Sequence, residues 1–297
     1  MCPFIHKQLK TFLFCWGISL IFFFGCNSVQ NSFFLRVDKE FSTQPLERET
    51  VLNEADIRHM PSPVRKYLKY TGVIGKNKVQ NVRIVFDELM YKNPKAKPMV
   101  SSSEQYNFFK RPARHFYMKA SMMGIPFRVL HSYSEERATM LVRVASLFNA
   151  VDLDNDELSM AETVTVLNDL CLFAPAALID KRISWEANGP LSAKVFFKNG
   201  KYRVSALLFF NEIGELVEFV SDDRSALQDD GSLRKARWST PIKDYKEWNG
   251  VKVPTYGEAI WKYPEGDFTY GKFFLTNIEY NLQGYKKINL VFIFSNS

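Results

Sequence analysis

Disulfide bonding is excluded first. The chain has four cysteines in 297 residues, and Cys2, Cys15 and Cys26 all fall at its start. Cys171 is left alone in the body, so the fold has to be held by packing. Lying in an apolar helical stretch, Cys171 reads as a buried thiol and not as a nucleophile. Histidine is equally scarce: His6, His59, His115 and His131 are isolated from one another, and no metal-ligand spacing can be built from them. No Gly-x-Ser-x-Gly motif and no Cys/His pair at a recognisable distance is present. Lysine and arginine exceed the acids by a formal +7, but they are dispersed singly, without the run or stripe that nucleic-acid binding needs. Low-complexity tracts are absent too, and with 46% apolar residues the chain can bury a sizeable core.

The one long apolar run is Thr11–Gly25, short of the roughly 20 residues that span a bilayer. It follows a basic start, MCPFIHKQLK, and ends at Gly25–Cys26, so residues 1–25 resemble a bacterial lipoprotein signal peptide. That resemblance implies lipid attachment at Cys26 and membrane anchoring in the cell envelope, on the periplasmic or outer-membrane side. Phe23 and Phe24 depart from the Leu and small residue usual before such a cysteine. Residues 26–50 read as a polar tether docking by Phe33, Phe34 and Leu35, residues 51–285 as the folded domain, and residues 286–297 as a tail.

Within the domain, Thr50–Tyr70 reads as two helical pieces broken at Pro61 and Pro63, with Val64, Tyr67 and Leu68 on one face. From Lys78 the period becomes that of strands. VQNVRIVFDELMY, SSSEQYNFFK, ARHFYMKASM, IPFRVLHSY and ATMLVRVASL are rich in β-branched and aromatic residues and are separated by breakers such as Asn93–Pro94 and Arg111–Pro112. A helical stretch, Ser159–Trp185, then intervenes, entered by a capping box of Ser159 and Glu162. Strands resume with AKVFFK, a hairpin at Asn199–Gly200, and YRVSALLFF. Further turns are expected at Gly214, Asp229–Asp230–Gly231, Asn249–Gly250 and Gly266–Asp267. About ten strands in antiparallel order are too many to stay flat. The expected fold is mainly β (α+β): one curled antiparallel sheet forming an open or half-closed barrel, with the helices packed on it or lidding it.

Few residues suggest chemistry. Asp152, Asp154 and Asp156 alternate as in a calcium loop, but Glu157 stands where Gly is needed and Thr163 where a bidentate Glu belongs. No metal, cofactor or catalytic residue is therefore assigned. Asn168 and Asp169 sit inside the apolar helix and must be hydrogen-bonded to backbone groups or to an Arg on the sheet. Asp222 and Asp223, adjacent on a strand end, point to opposite sides.

Six segments carry a family resemblance: PVRKYLKYTGVIG, RHFYMKASMMGIP, ETVTVLNDLCLFAPAALID, DDRSA, ARWSTPIKDY and GEAIWKYPEGDFTYG. Through them Pro61–Tyr280 resembles a family of bacterial proteins of unknown function, and its expected topology resembles the lipoprotein-carrier half-barrels. The resemblance implies no reaction. The first function expected is an envelope lipoprotein that binds a lipid or acyl chain, with Phe196, Phe209, Phe219, Trp238, Trp261 and Phe273 supplying its lining. Arg224 would take a headgroup, and Asn168, Asp169 and Tyr245 complete the candidate ligand-binding residues. Two rivals stand beside it. One is an enzyme acting on an envelope polymer through Asp169 and Asp223, which requires those carboxylates at roughly 5 to 9.5 Å. The other is an assembly lipoprotein using an apolar patch for a protein partner.

Overall fold

Val82, Ile84 and Phe86 are buried on one face of a strand whose other face carries Arg83 and Val85. Alternation of this kind recurs along the chain, because successive strand side chains point to opposite faces. The computed structural model describes residues 29–122, 124–145, 147–228 and 231–286. The expected signal peptide, Cys26, Asp229–Asp230 and the tail after Lys286 lie outside the described residues.

The first six strands are β1 (Asn81–Met90), β2 (Met99–Phe108), β3 (Ala113–Met122), β4 (Ile125–Ser134), β5 (Arg137–Val144) and β6 (Phe148–Leu153). They form one meander. A second contains β7 (Ile183–Ala187), β8 (Ser192–Asn199), β9 (Tyr202–Phe210), β10 (Leu216–Ser221), β13 (Arg237–Trp248), β14 (Val251–Tyr263) and β15 (Gly266–Tyr280). Antiparallel pairing of β1 with β15 fuses the two into a 13-stranded sheet ordered β6-β5-β4-β3-β2-β1-β15-β14-β13-β10-β9-β8-β7. The outer strands β6 and β7 do not pair, so the sheet is an open half-barrel, as the strand pattern implied. A short ribbon of β11 (Ser225–Leu227) and β12 (Leu233–Lys235) is inserted between β10 and β13.

The connection from edge strand β6 to edge strand β7 runs through a long helix. In chain order the helices are α1 (residues 29–43), α2 (Ser62–Tyr70) and α3 (Asp156–Phe173). α3 is buried nearly all round, from Leu158 to Phe173, as expected of a helix inside a protein. It touches β4 and β5 on one arm of the sheet and β9, β10 and β14 on the other. Its start corrects the expected capping box. Asn155 is the cap, its side chain accepting from the Leu158 N–H at 2.8 Å. Ser159 lies one turn inside, where its hydroxyl accepts from the Ala138 N–H (2.9 Å) and so joins α3 to β5. α2 closes one end of the core, Tyr67 donating to the Cys171 carbonyl at 2.7 Å.

Several local readings shift. More strands form than the sequence suggested: β6 follows the last strand expected before the long helix, and β7 replaces the end of the helical stretch. The β8–β9 turn falls at Gly200–Lys201, since Asn199 is still paired with Tyr202. At Asn249–Gly250 the two-residue hairpin turn is as expected, both residues having positive φ of 51° and 77°, the twist that suits a tight hairpin.

Residues 29–43, expected within a tether, form a helix packed on the convex face of the sheet. Val29, Phe33, Val37 and Phe41 recur every four residues and are buried, which is the spacing of a single helical stripe. Phe33 stacks on Tyr117 with centroids 5.5 Å apart, and Phe41 meets Phe108 edge-on at 5.0 Å. The docking residue Leu35 is 71% exposed, so of the three expected contacts Phe33 is the buried one. Glu40 is buried beside His115 and accepts from Ser134 at 2.6 Å and Gln44 at 2.7 Å. Burial raises its pKa, but His115, Ser134 and Gln44 outweigh that and hold it at about 2. Truncation of Phe33 to Ala should cost about 3–5 kcal/mol, read by urea denaturation, whereas Leu35→Ala should change stability by less than about 0.5 kcal/mol. Equal effects would mean that α1 does not pack as described.

Candidate functional site

Because the sheet curls around α3 without touching it everywhere, a hollow of about 450 Å³ remains between them, within the size range of small-molecule sites. Alternation on the concave face supplies its walls. Met118 of β3, Val129 of β4 and Met140 of β5 stand on one side. Trp238, Trp261 and Phe273 stand on the other, and Leu172 and Phe173 of α3 lie between them. Leu227 and Leu233 of the β11–β12 ribbon form part of the lining. Trp238 donates to the Tyr270 hydroxyl at 3.1 Å, and Trp261 stacks on Tyr270 at 5.7 Å.

One side of the hollow is charged. Arg114 of β3, 8% exposed, donates through Nε to Asp169 Oδ2 (2.9 Å), through Nη1 to Glu162 Oε2 (3.2 Å) and through Nη2 to Gln105 (2.9 Å). Gln105 and Asn107 of β2 each donate to the same Asp169 oxygen at 2.9 Å. Glu162 and Asp169, two helical turns apart on α3, thus share one guanidinium. His131 Nδ1 lies 3.2 Å and Arg224 Nη2 3.8 Å from the other Glu162 oxygen. Burial alone would raise the Glu162 pKa, but His131, Arg114 and Arg224 hold it well below the usual carboxylate range.

Of the expected ligand residues, Arg224, Trp238, Trp261, Asn168 and Asp169 all line the hollow. The Arg224 guanidinium lies 4.1 Å from the Trp238 centroid and 5.5 Å from that of Trp261, and its buried Nε has no hydrogen-bond partner. Asn168 donates to Thr240 Oγ1 at 2.7 Å. Tyr245 does not join them: its hydroxyl donates to the Leu216 carbonyl (2.9 Å) and its ring meets Tyr70. Phe196 and Phe209 fall on the outward face, since the strand period places Phe197 and Phe210 inside. Phe219 is fully buried behind Trp238.

Of the two carboxylates Asp169 and Asp223, the first lines the hollow and the second does not. Asp223 accepts from the Ser205 N–H at 2.8 Å and its hydroxyl at 3.2 Å. Asp222 is paired instead with Arg237 at 2.8 Å. The calcium-like acids are spent on Arg137, which binds Asp154, and on Lys201, 2.9 Å from Asp156. Among the described residues no group of three His, Cys, Asp or Glu side chains could hold a metal.

Arg114, Gln105, Glu162, His131 and Glu88 escaped the sequence reading. Their signal was the polar row Ser101, Ser103, Gln105 and Asn107 alternating with Tyr106 and Phe108 on β2, which turns out to face inward. Glu88, fully buried on the same face, accepts from Ser101 (2.9 Å) and from Ser103. Burial pushes its pKa up to about 7 against the pull of those hydroxyls and of Arg114.

The architecture is that of a half-barrel with a central helix and an internal apolar chamber. The chain belongs to DUF6544, a family of unknown function whose pattern matches residues 50–273. No curated protein matches it. Among solved structures it is similar to a LolA-superfamily protein from Nitrosomonas europaea (TM-score 0.41, 8% identity, 77% of this chain and 94% of that one). It is also similar to a domain assigned to outer membrane lipoprotein sorting in Vibrio parahaemolyticus (TM-score 0.36, 7% identity, 67% of this chain and 85% of that one).

Two outcomes test the charged side. Arg114→Ala leaves two carboxylates buried without their cation and should cost about 3–5 kcal/mol; adding Glu162→Gln and Asp169→Asn should recover part of it. Denaturation of the single and triple variants checks this, and a triple variant no more stable than Arg114→Ala would contradict it. Glu88 has the opposite sign of linkage. Its folded pKa lies above the ordinary 4.5, so the folded state keeps a proton that the unfolded chain releases. Stability is thus full below about pH 4.5 and falls as pH rises through about 7, by roughly 3 kcal/mol. Compared with the native chain, Glu88→Gln should gain stability at pH 8 relative to pH 5; urea midpoints at the two values give the answer.

Proposed function

We propose that the chain is a cell-envelope lipoprotein whose half-barrel binds a lipid or acyl chain in the hollow between the sheet and α3. The observation that carries the reading is the combination of an apolar chamber of about 450 Å³ with one charged side. An aliphatic chain removed from water against Met118, Val129 and Met140 gains roughly 25 cal/mol per Å² buried. At the same time Arg224, loosely paired and with one N–H unused, offers an anionic headgroup a charge-assisted hydrogen bond. Its guanidinium already sits over the Trp238 ring, 4.1 Å from the centroid, so little freedom is lost on binding. In this reading Trp261, Asn168 and Asp169 shape and brace the chamber and Tyr245 is structural.

The envelope placement rests on the sequence of the first 26 residues, and Cys26 is the proposed site of acylation. No helix among the described residues is long and apolar enough to cross a membrane.

Organic extraction of the purified full chain followed by mass spectrometry should release a stoichiometric acyl species not covalently attached. Met118→Trp, which fills the chamber from β3, should weaken binding of a fluorescent fatty acid at least tenfold while the circular dichroism spectrum stays native. Arg224→Gln should weaken a fatty acid more than the matching alcohol. A protein that purifies empty and binds neither probe would overturn the proposal.

A further inference from the structure

Two nitrogens on the charged side of the hollow are buried without a hydrogen-bond partner: Nε2 of His131 and Nε of Arg224. Native structures leave few buried polar atoms unmatched, so each one asks what satisfies it. Here the two belong to neighbouring side chains. Both residues line the hollow, and both approach the same oxygen of Glu162, His131 by Nδ1 at 3.2 Å and Arg224 by Nη2 at 3.8 Å. The second distance is beyond hydrogen-bond reach. Arg224 is thus placed over the rings of Trp238 and Trp261 with only a long ion pair to its acid.

The charges around this pair balance. His131 stands opposite Phe116 of β3 and Met140 of β5. The ionic groups near it therefore come from three places: Glu162 and Asp169 from α3, Arg114 from β3, and Arg224 from the segment between β10 and β11. Two cations meet two acids. The other charged residues of the lining, Lys92 and Glu258, are again one of each sign. Glu162 at Nδ1 keeps a proton on that nitrogen, so a neutral His131 ring has a bare Nε2. In that state the wall carries no net charge, and an anion entering alone would bury an unmatched negative charge at high cost. A proton on Nε2 removes the mismatch. His131 then becomes a third cation beside Arg114 and Arg224, and its orphan nitrogen becomes a donor.

We infer that the hollow takes up its anionic ligand together with one proton, the headgroup being a singly charged oxyanion, a carboxylate, held between His131 Nε2 and Arg224. This deepens the acyl-binding reading above and rests on it. A doubly charged phosphate monoester would again leave one negative charge unmatched. Charge balance thus selects among headgroups that an arginine alone would accept alike. Arg224 supplies the attraction, and His131 makes it depend on pH.

Calorimetry of the full chain with dodecanoate, run in two buffers of different ionisation enthalpy, counts the protons bound with the ligand. At pH 8 close to one proton should be taken up per dodecanoate, and affinity should rise about tenfold from pH 9 to pH 8. Dodecanol should take up none. Dodecyl phosphate, which carries close to two charges at this pH, should bind at least tenfold more weakly than dodecanoate. In His131→Gln, with folding checked by circular dichroism, the uptake should vanish and dodecanoate affinity should no longer change with pH. The proton count on the native chain needs no variant. Dodecanoate that binds without proton uptake, or no more tightly than dodecyl phosphate, would overturn this inference and leave the acyl-binding reading standing. Acetate that displaces dodecanoate at equal concentration would also overturn it, since the site would then be one for a free small anion. A chain that binds neither dodecanoate nor dodecanol would overturn both.

Discussion

The structure depends on one buried cation. Arg114 projects from β3 into the concave face and is gripped there by Glu162 and Asp169 of α3. Without the acids, a guanidinium so deeply buried would carry the desolvation cost of an unpaired charge, and without Arg114 the helix would bury two carboxylates. Neither element can sit where it does alone. Apolar packing brings α3 inside the sheet but does not fix its depth or rotation, because it is apolar nearly all round. The ion cluster supplies that register, assisted by Gln105 and Asn107 on β2 and by the Asn168–Thr240 hydrogen bond to β13.

A hollow follows from this register. Held by charges on one side and by the links into β6 and β7 at its start and after its end, α3 does not collapse onto Met118, Val129 and Trp238. The chamber thus combines an apolar wall that the cluster keeps open with a charged wall that is largely self-neutralised. Arg224 is the exception, stacked on Trp238 and only loosely paired. Two further clusters lie on the convex side: Arg83 with Glu104 and Glu279 ties β1 to β2 and β15, and Glu40 with His115 joins α1 to β3.

Most of the architecture was legible in the sequence, since period-two alternation bounded by turn residues specifies strands and their antiparallel order. The long helix between the meanders was legible too, and so was the need for a partner at Asp169. Less visible were short or edge strands such as β6, where a half-exposed FNAVDL gives no clean alternation. The helix α1 was hidden because its stripe of Val29, Phe33, Val37 and Phe41 is diluted by polar neighbours. The site was legible only in part. Trp238, Trp261 and Arg224 were found because aromatic and cationic residues near a strand end draw notice. Phe196 and Phe209 were placed in the lining because a one-residue uncertainty in register inverts a strand's faces. Arg114 and Glu162 are far apart in sequence, and nothing local marks them as partners. Glu162 even presents a local pattern, three residues after Ser159, that suggests a different role.

The central claim is that α3, locked by Arg114, leaves a persistent apolar hollow inside the half-barrel. Xenon enters dry apolar cavities of this kind. Diffraction from crystals of the protein held under xenon pressure should show xenon against Met118, Val129 and Trp238 with the sheet and α3 unmoved. A chamber that takes up no xenon, because the helix has closed onto the strands or because ordered water fills it, would contradict the account.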